Sequence, residues 1–157
     1  MENQLNILSE SLDEKIQILG QIQRLNRRQS EAFSKETADL DEFDKAFDEK
    51  DKLIDSLTRL DDGFEALYDR VAEELKENRM RYVAQIKSLQ EKIAKITELS
   101  ASIQAQEARN KRLMESYFAQ TRSGLKQNRQ TSKAAYDYYR NMSGVAYSAS
   151  RFMDNKQ

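Results

Sequence analysis

The chain has 157 residues, 34% of them charged and 38% hydrophobic, with no proline, cysteine, histidine or tryptophan and only four glycines. Without His or Cys it has no Cys- or His-based zinc site, no thiol redox chemistry, no Cys–His or Ser–His–Asp nucleophile and no internal disulfide. The formal net charge of −1 gives no overall field for nucleic acid or an acidic membrane, so the composition points away from an enzyme and toward a helical binding or structural protein.

Average usage would supply about eight prolines in a chain of this length; their absence lets helices run long. In the first segment Leu5, Leu8, Leu12, Ile16, Leu19 and Ile22 trace one apolar stripe, widened by Ile18 and Leu25. This spacing predicts a helix over about 3–33 that absorbs Gly20. A turn is expected over 34–39, and Asp39-x-x-Glu42 offers a capping box for the next helix.

The second stripe runs Leu40, Phe43, Phe47, Ile54, Leu57, Phe64, Tyr68, Val71 and Leu75, with Lys50 and Asp61 falling in phase. Asp61-Asp62-Gly63 is a local stop signal and Asp62-x-x-Glu65 a fresh cap, which predicts two helices, 39–61 and 63–77, joined at a kink. The rhythm resumes at Tyr82 through Ile86, Leu89, Ile93, Ile96, Ser100 and Ile103, turns polar at Glu107 and Asn110, and returns with Leu113, Met114, Tyr117 and Phe118. A helix over about 80–125 would be about 68 Å long and needs partners along that length. The expected fold is all-α: an elongated antiparallel helical bundle over 1–125, a coiled-coil-like hairpin of long helices.

After Gly124 the composition shifts. Residues 126–157 form a basic tail carrying four of the seven tyrosines, too polar to span a membrane, and expected to be partly helical or disordered until a partner orders it. Charge is unevenly placed along the chain. Residues 35–62 hold eleven acids against five bases, net −6, whereas 109–157 hold ten bases against three acids, net +7. The N-terminus lacks the basic start and apolar core of a secretory signal, so a cytoplasmic protein without membrane insertion is expected.

Asp61-Asp62 and Glu73-Glu74 are paired carboxylates, but on an acidic helix such pairs serve as solvated surface or caps rather than as catalysts. No loop near Asp41 and Asp44 carries calcium-ligand spacing with its turn glycine. The tail mixes bases with aromatics as nucleic-acid surfaces do, yet its bases are dispersed singly and no binding motif frames them. The most informative feature is the stripe Leu113, Met114, Tyr117, Phe118 and Leu125. It reads either as bundle core or as a face for an amphipathic partner helix, where Met and aromatics adapt to a partner's side chains. A first helix of about 31 residues is too short to cover one of about 45, which leaves apolar surface near the C-terminal end.

The Leu-rich opening helix, the acidic second helix around Leu53-Ile-Asp-Ser-Leu57 and the long final helix resemble flagellar export chaperones of the FlgN type. The closest local matches are Asn110-Lys-Arg-Leu-Met114 and the ending Tyr136 … Gly144 … Arg151-Phe-Met-Asp-Asn-Lys156. The proline-free middle departs from members with a longer, sometimes Pro-containing connection. The resemblance implies a cytoplasmic, non-enzymatic chaperone of flagellar type III export. It would need no metal or cofactor and would hold hook-associated, hook–filament junction proteins by their C-terminal helical regions, with a contact to the export apparatus. Carried over residue by residue, the resemblance implies client binding by Asn110, Leu113, Met114 and Tyr117, with Tyr136 and Phe152 in the tail; the apolar stripe adds Phe118 and Leu125 to the client-binding set, on a monomer or homodimer. The alternatives are a coiled-coil scaffold, such as an export-ATPase stalk-like protein, and a nucleic-acid adaptor.

Overall fold

The apolar stripe of the first segment forms α1, Glu2–Ser34, in a computed structural model that describes residues 1–34 and 37–120. Its buried line runs Leu5, Leu8, Leu12, Lys15, Leu19, Ile22, Leu25, Asn26, Gln29 and Ala32. One step differs from the expected stripe: Lys15 is buried where Ile16 was predicted, and Ile16 is only half-buried. Alternating steps of three and four put position 15, not 16, on the seam between Leu12 and Leu19. The ammonium tolerates that place because it donates to Asp61 Oδ1 at 2.7 Å.

The chain turns back after Ser34. The Asp39 amide donates to the Ala32 carbonyl at 3.0 Å, and the Asp39 carboxylate accepts from the Glu42 amide at 3.1 Å. Half of the expected capping box is thus formed. The Glu42 carboxylate turns instead to α1, accepting from Arg28 Nε at 2.8 Å and from Arg28 Nη2.

α2 runs unbroken over Leu40–Glu77. The two helices predicted around Asp61-Asp62-Gly63 are one. Gly63 costs a helix about 1 kcal/mol relative to Ala, and Asp61 is engaged by Lys15 rather than left to cap a new start. The stripe also keeps its phase across the glycine, so packing on both sides holds the backbone hydrogen bonds through it. α2 ends at Asn78, whose amide and side chain both donate to the Glu74 carbonyl, at 3.0 and 2.9 Å. A tight turn follows, with the Arg81 and Tyr82 amides both donating to the Asn78 carbonyl, at 3.0 and 3.3 Å. Tyr82 is buried at this corner, and α3 then runs over Val83–Gln120. The last five residues of the predicted 80–125 helix, and the whole tail expected over 126–157, lie outside the described residues.

α1 is the central element. α2 lies antiparallel to it, as Arg28–Glu42 at one end and Lys15–Asp61 further along require. α3 lies parallel to it, through Lys92 with Asp13 and Gln23 with Ser102. α1 packs on both neighbours, whereas no Cα of α2 comes within 8 Å of a Cα of α3. The core is a column of Leu, Ile and Phe from all three helices, interrupted by charge at two levels.

Candidate functional site

Two layers lie at the end of the bundle where α1 turns into α2. The outer layer is aromatic. Phe33 of α1 meets Phe43 of α2 edge-on at 4.9 Å between ring centroids and Tyr117 of α3 at 5.8 Å. Phe43 meets Phe47 at 5.3 Å, and Tyr117 meets Phe118 at 5.4 Å, both edge-on. These tilted geometries place positive ring edges on negative ring faces. All three helices therefore contribute to one aromatic cap.

The inner layer is polar and buried. Lys50, fully buried on α2, donates to Asn26 Oδ1 of α1 at 2.7 Å and to both carboxylate oxygens of Glu107 on α3 at 2.9 and 3.2 Å. Its Nζ also stands 5.0 Å from the Phe47 ring centroid, within cation–π reach. Asn26 donates in turn to Gln106 Oε1 at 3.2 Å, and its carbonyl accepts from Asn110 Nδ2 at 3.0 Å. Burial lowers the Lys50 pKa, because the charged form loses its water, while Glu107 opposes that shift. The second charged level is the Lys15–Asp61 pair, where burial raises the Asp61 carboxyl and Lys15 opposes it.

The candidate binding residues divide between these surroundings. Asn110, Met114 and Phe118 are buried in the bundle; Leu113 and Tyr117 are half-buried on the flank of α3. The structure thus brings five of the eight candidates to one end, three of them inward. Leu125, Tyr136 and Phe152 lie outside the described residues. The polar layer was not identified as a site from sequence, although its signal was present: Lys50 falls in phase with the apolar stripe, and Glu107 and Asn110 interrupt one. Phe33, which joins the two neighbouring helices through its ring, sits beyond the apolar stripe of α1 and carried no signal.

No group of His, Cys, Asp or Glu suited to a metal ion occurs among the described residues, and none of their helices is long and apolar enough to cross a membrane. The model of the FlgN protein family matches residues 1–144. The chain belongs to the FlgN family. No curated protein and no solved structure is matched. FlgN proteins are flagellar export chaperones, and the FlgN match spans all three helices together with the aromatic cap and the polar layer.

Proposed function

We propose that this chain binds the amphipathic C-terminal helical region of hook-associated, hook–filament junction proteins in the cytoplasm, keeping them unassembled and competent for export. The observation that carries the reading, beside family membership, is the aromatic end of the bundle, where Leu113 and Tyr117 remain half-buried on one flank of α3. A client helix laid along that flank would add its apolar side chains to Phe33, Leu113 and Tyr117, the usual mode of an amphipathic helix in a groove. Met114 and Phe118 support the flank from inside, and Asn110 fixes α3 to the α1 backbone beneath it. Leu125, Tyr136 and Phe152 would extend the contact beyond Gln120, and release would take place at the export apparatus.

Titration calorimetry against C-terminal helical fragments of hook-associated proteins tests this reading. Binding should be detected with the native chain and fall at least tenfold in Leu113→Asp/Tyr117→Asp. Unchanged affinity in that variant places the client elsewhere, and no binding by the native chain rejects the reading.

A further inference from the structure

Three large apolar side chains stand exposed among the described residues: Met80 at 88%, Ile7 at 54% and Val83 at 50%. All three lie at the end of the bundle opposite the aromatic cap. Met80 is in the turn between α2 and α3, and Val83 opens α3. Ile7 lies near the start of α1, which runs beside α3 with Lys92 Nζ donating to Ser9 Oγ at 2.6 Å. The turn is firmly built. Asn78 closes α2, its carbonyl accepts from the Arg81 and Tyr82 amides, and the Arg81 guanidinium stands 5.5 Å from the buried Tyr82 ring. This geometry sends Tyr82 inward and holds Met80 out, where it adds nothing to the core.

Bases surround that side chain. Residues 76–90 hold Lys76, Arg79, Arg81 and Lys87 against Glu77, all five exposed, a net charge of +3 in a chain whose total is −1. Glu2 of α1, at the same end, brings the tip to +2. The next acids, Glu73 and Glu74 on α2 and Glu91 on α3, lie a turn or more further down. Shape decides between the two kinds of surface that would accept such a tip. A protein partner of standard size takes about 800 Å² from each side, which a convex turn with one fully projecting side chain does not present. A lipid interface asks only for an apolar apex that enters the acyl boundary and for bases on its shoulders that reach phosphates. Anionic headgroups complement the local charge.

We propose that the turn between α2 and α3 is a peripheral contact for an anionic lipid surface, with Met80 entering the interface and Arg79, Arg81 and Lys87 facing the phosphates. The contact is weak and reversible. A single myristoyl chain gives an association constant of only about 10⁴ M⁻¹, and this tip buries fewer apolar carbons. Leu113 lies well along α3 from Val83, about 45 Å at 1.5 Å per residue. The bundle would stand on the lipid by this end, with Leu113 and Tyr117 held away from it. The contact therefore does not rest on the client reading.

The chain has no tryptophan, so Met80→Trp places a single fluorophore at the apex, and Gln21→Trp, at an exposed position midway along α1, serves as its control. At low salt the full chain should co-sediment with vesicles of mixed phosphatidylglycerol and phosphatidylcholine, and not with phosphatidylcholine alone. In the bound state Met80→Trp emission should shift to the blue and be quenched by brominated acyl chains, while Gln21→Trp emission stays unchanged. Arg79→Glu/Met80→Asp should lower partition at least tenfold, with circular dichroism and the unfolding temperature preserved. Partition that survives this variant overturns the proposal and assigns the contact to the basic residues 121–157. An unshifted Met80→Trp spectrum on bound vesicles, an equal shift in the control, or equal partition into phosphatidylcholine also overturns it. No partition at all leaves the turn to a protein partner and overturns it as well.

Discussion

The Lys50 ammonium on α2 and the Glu107 carboxylate on α3 meet at 2.9 Å, with the two side chains 0% and 4% exposed. They join two helices whose backbones do not touch, and Asn26 Oδ1 of α1 accepts a further hydrogen bond from the same ammonium. A buried pair of this kind costs desolvation on both sides and is retained by geometry and by its extra hydrogen bonds.

Removing one partner should therefore be far worse than removing both. Lys50→Met leaves the Glu107 carboxylate buried without its counter-charge, with an expected loss of about 3–5 kcal/mol in urea unfolding. Lys50→Met/Glu107→Leu should recover most of that loss. Equal losses in the single and double variants would show that the pair is not what holds this level of the core.

Asp61 should give the protein an unusual response to acid. Its carboxyl is raised in the folded chain, chiefly by burial, so the folded state binds its proton more readily than the unfolded state does. This group's contribution to stability grows as pH falls from neutral through its folded pKa, and is complete below the unfolded carboxylate value. In urea titrations from pH 7 to pH 4, the native chain should gain on Asp61→Asn as pH falls. A difference independent of pH would contradict the raised Asp61 carboxyl.

Gly63 lies on an exposed turn in the interior of α2, and a Cβ built there meets nothing within 4 Å. Gly63→Ala should stabilise the fold by about 0.5–1 kcal/mol, because Ala loses less backbone freedom on entering a helix. Thermal unfolding should show this as a rise of about 2–4 °C per kcal/mol. A destabilised variant would mean that the helix bends at Gly63 in solution.

The Asp39 side chain caps α2 by accepting from the Glu42 amide. Asp39→Ala should cost about 0.5–2 kcal/mol, while Asp39→Asn should retain most of the stability, since Asn caps as well as Asp. If Asn proved as damaging as Ala, the negative charge rather than the cap bond would be what matters there.

Long stripes made the helices legible: Leu5 to Ile22, Leu40 to Leu75 and Leu89 to Phe118 repeat every three or four residues without proline. At Gly63 local capping chemistry argues for a stop, yet α2 runs through it because packing on both sides outweighs the cost of one glycine. The candidate site was legible in part. The pattern drew attention to Leu113 through Phe118, but periodicity alone does not say which of these turn inward, because an apolar face looks alike whether it is covered or open.

By itself the sequence determined that this protein is a set of long amphipathic helices with an acidic second helix and a basic, tyrosine-bearing end. Periodicity, breaker content and charge order are properties of the chain taken a few turns at a time. Only the tertiary structure decided that Lys15, Lys50 and Glu107 belong to the interior, with Asp61 half-buried against Lys15, and that Asn110, Met114 and Phe118 are core while Leu113 and Tyr117 remain half-buried. A charged side chain is placed inside only when its partner arrives from another helix. Here those partners stand 46 and 57 residues away along the chain, beyond the reach of any local pattern.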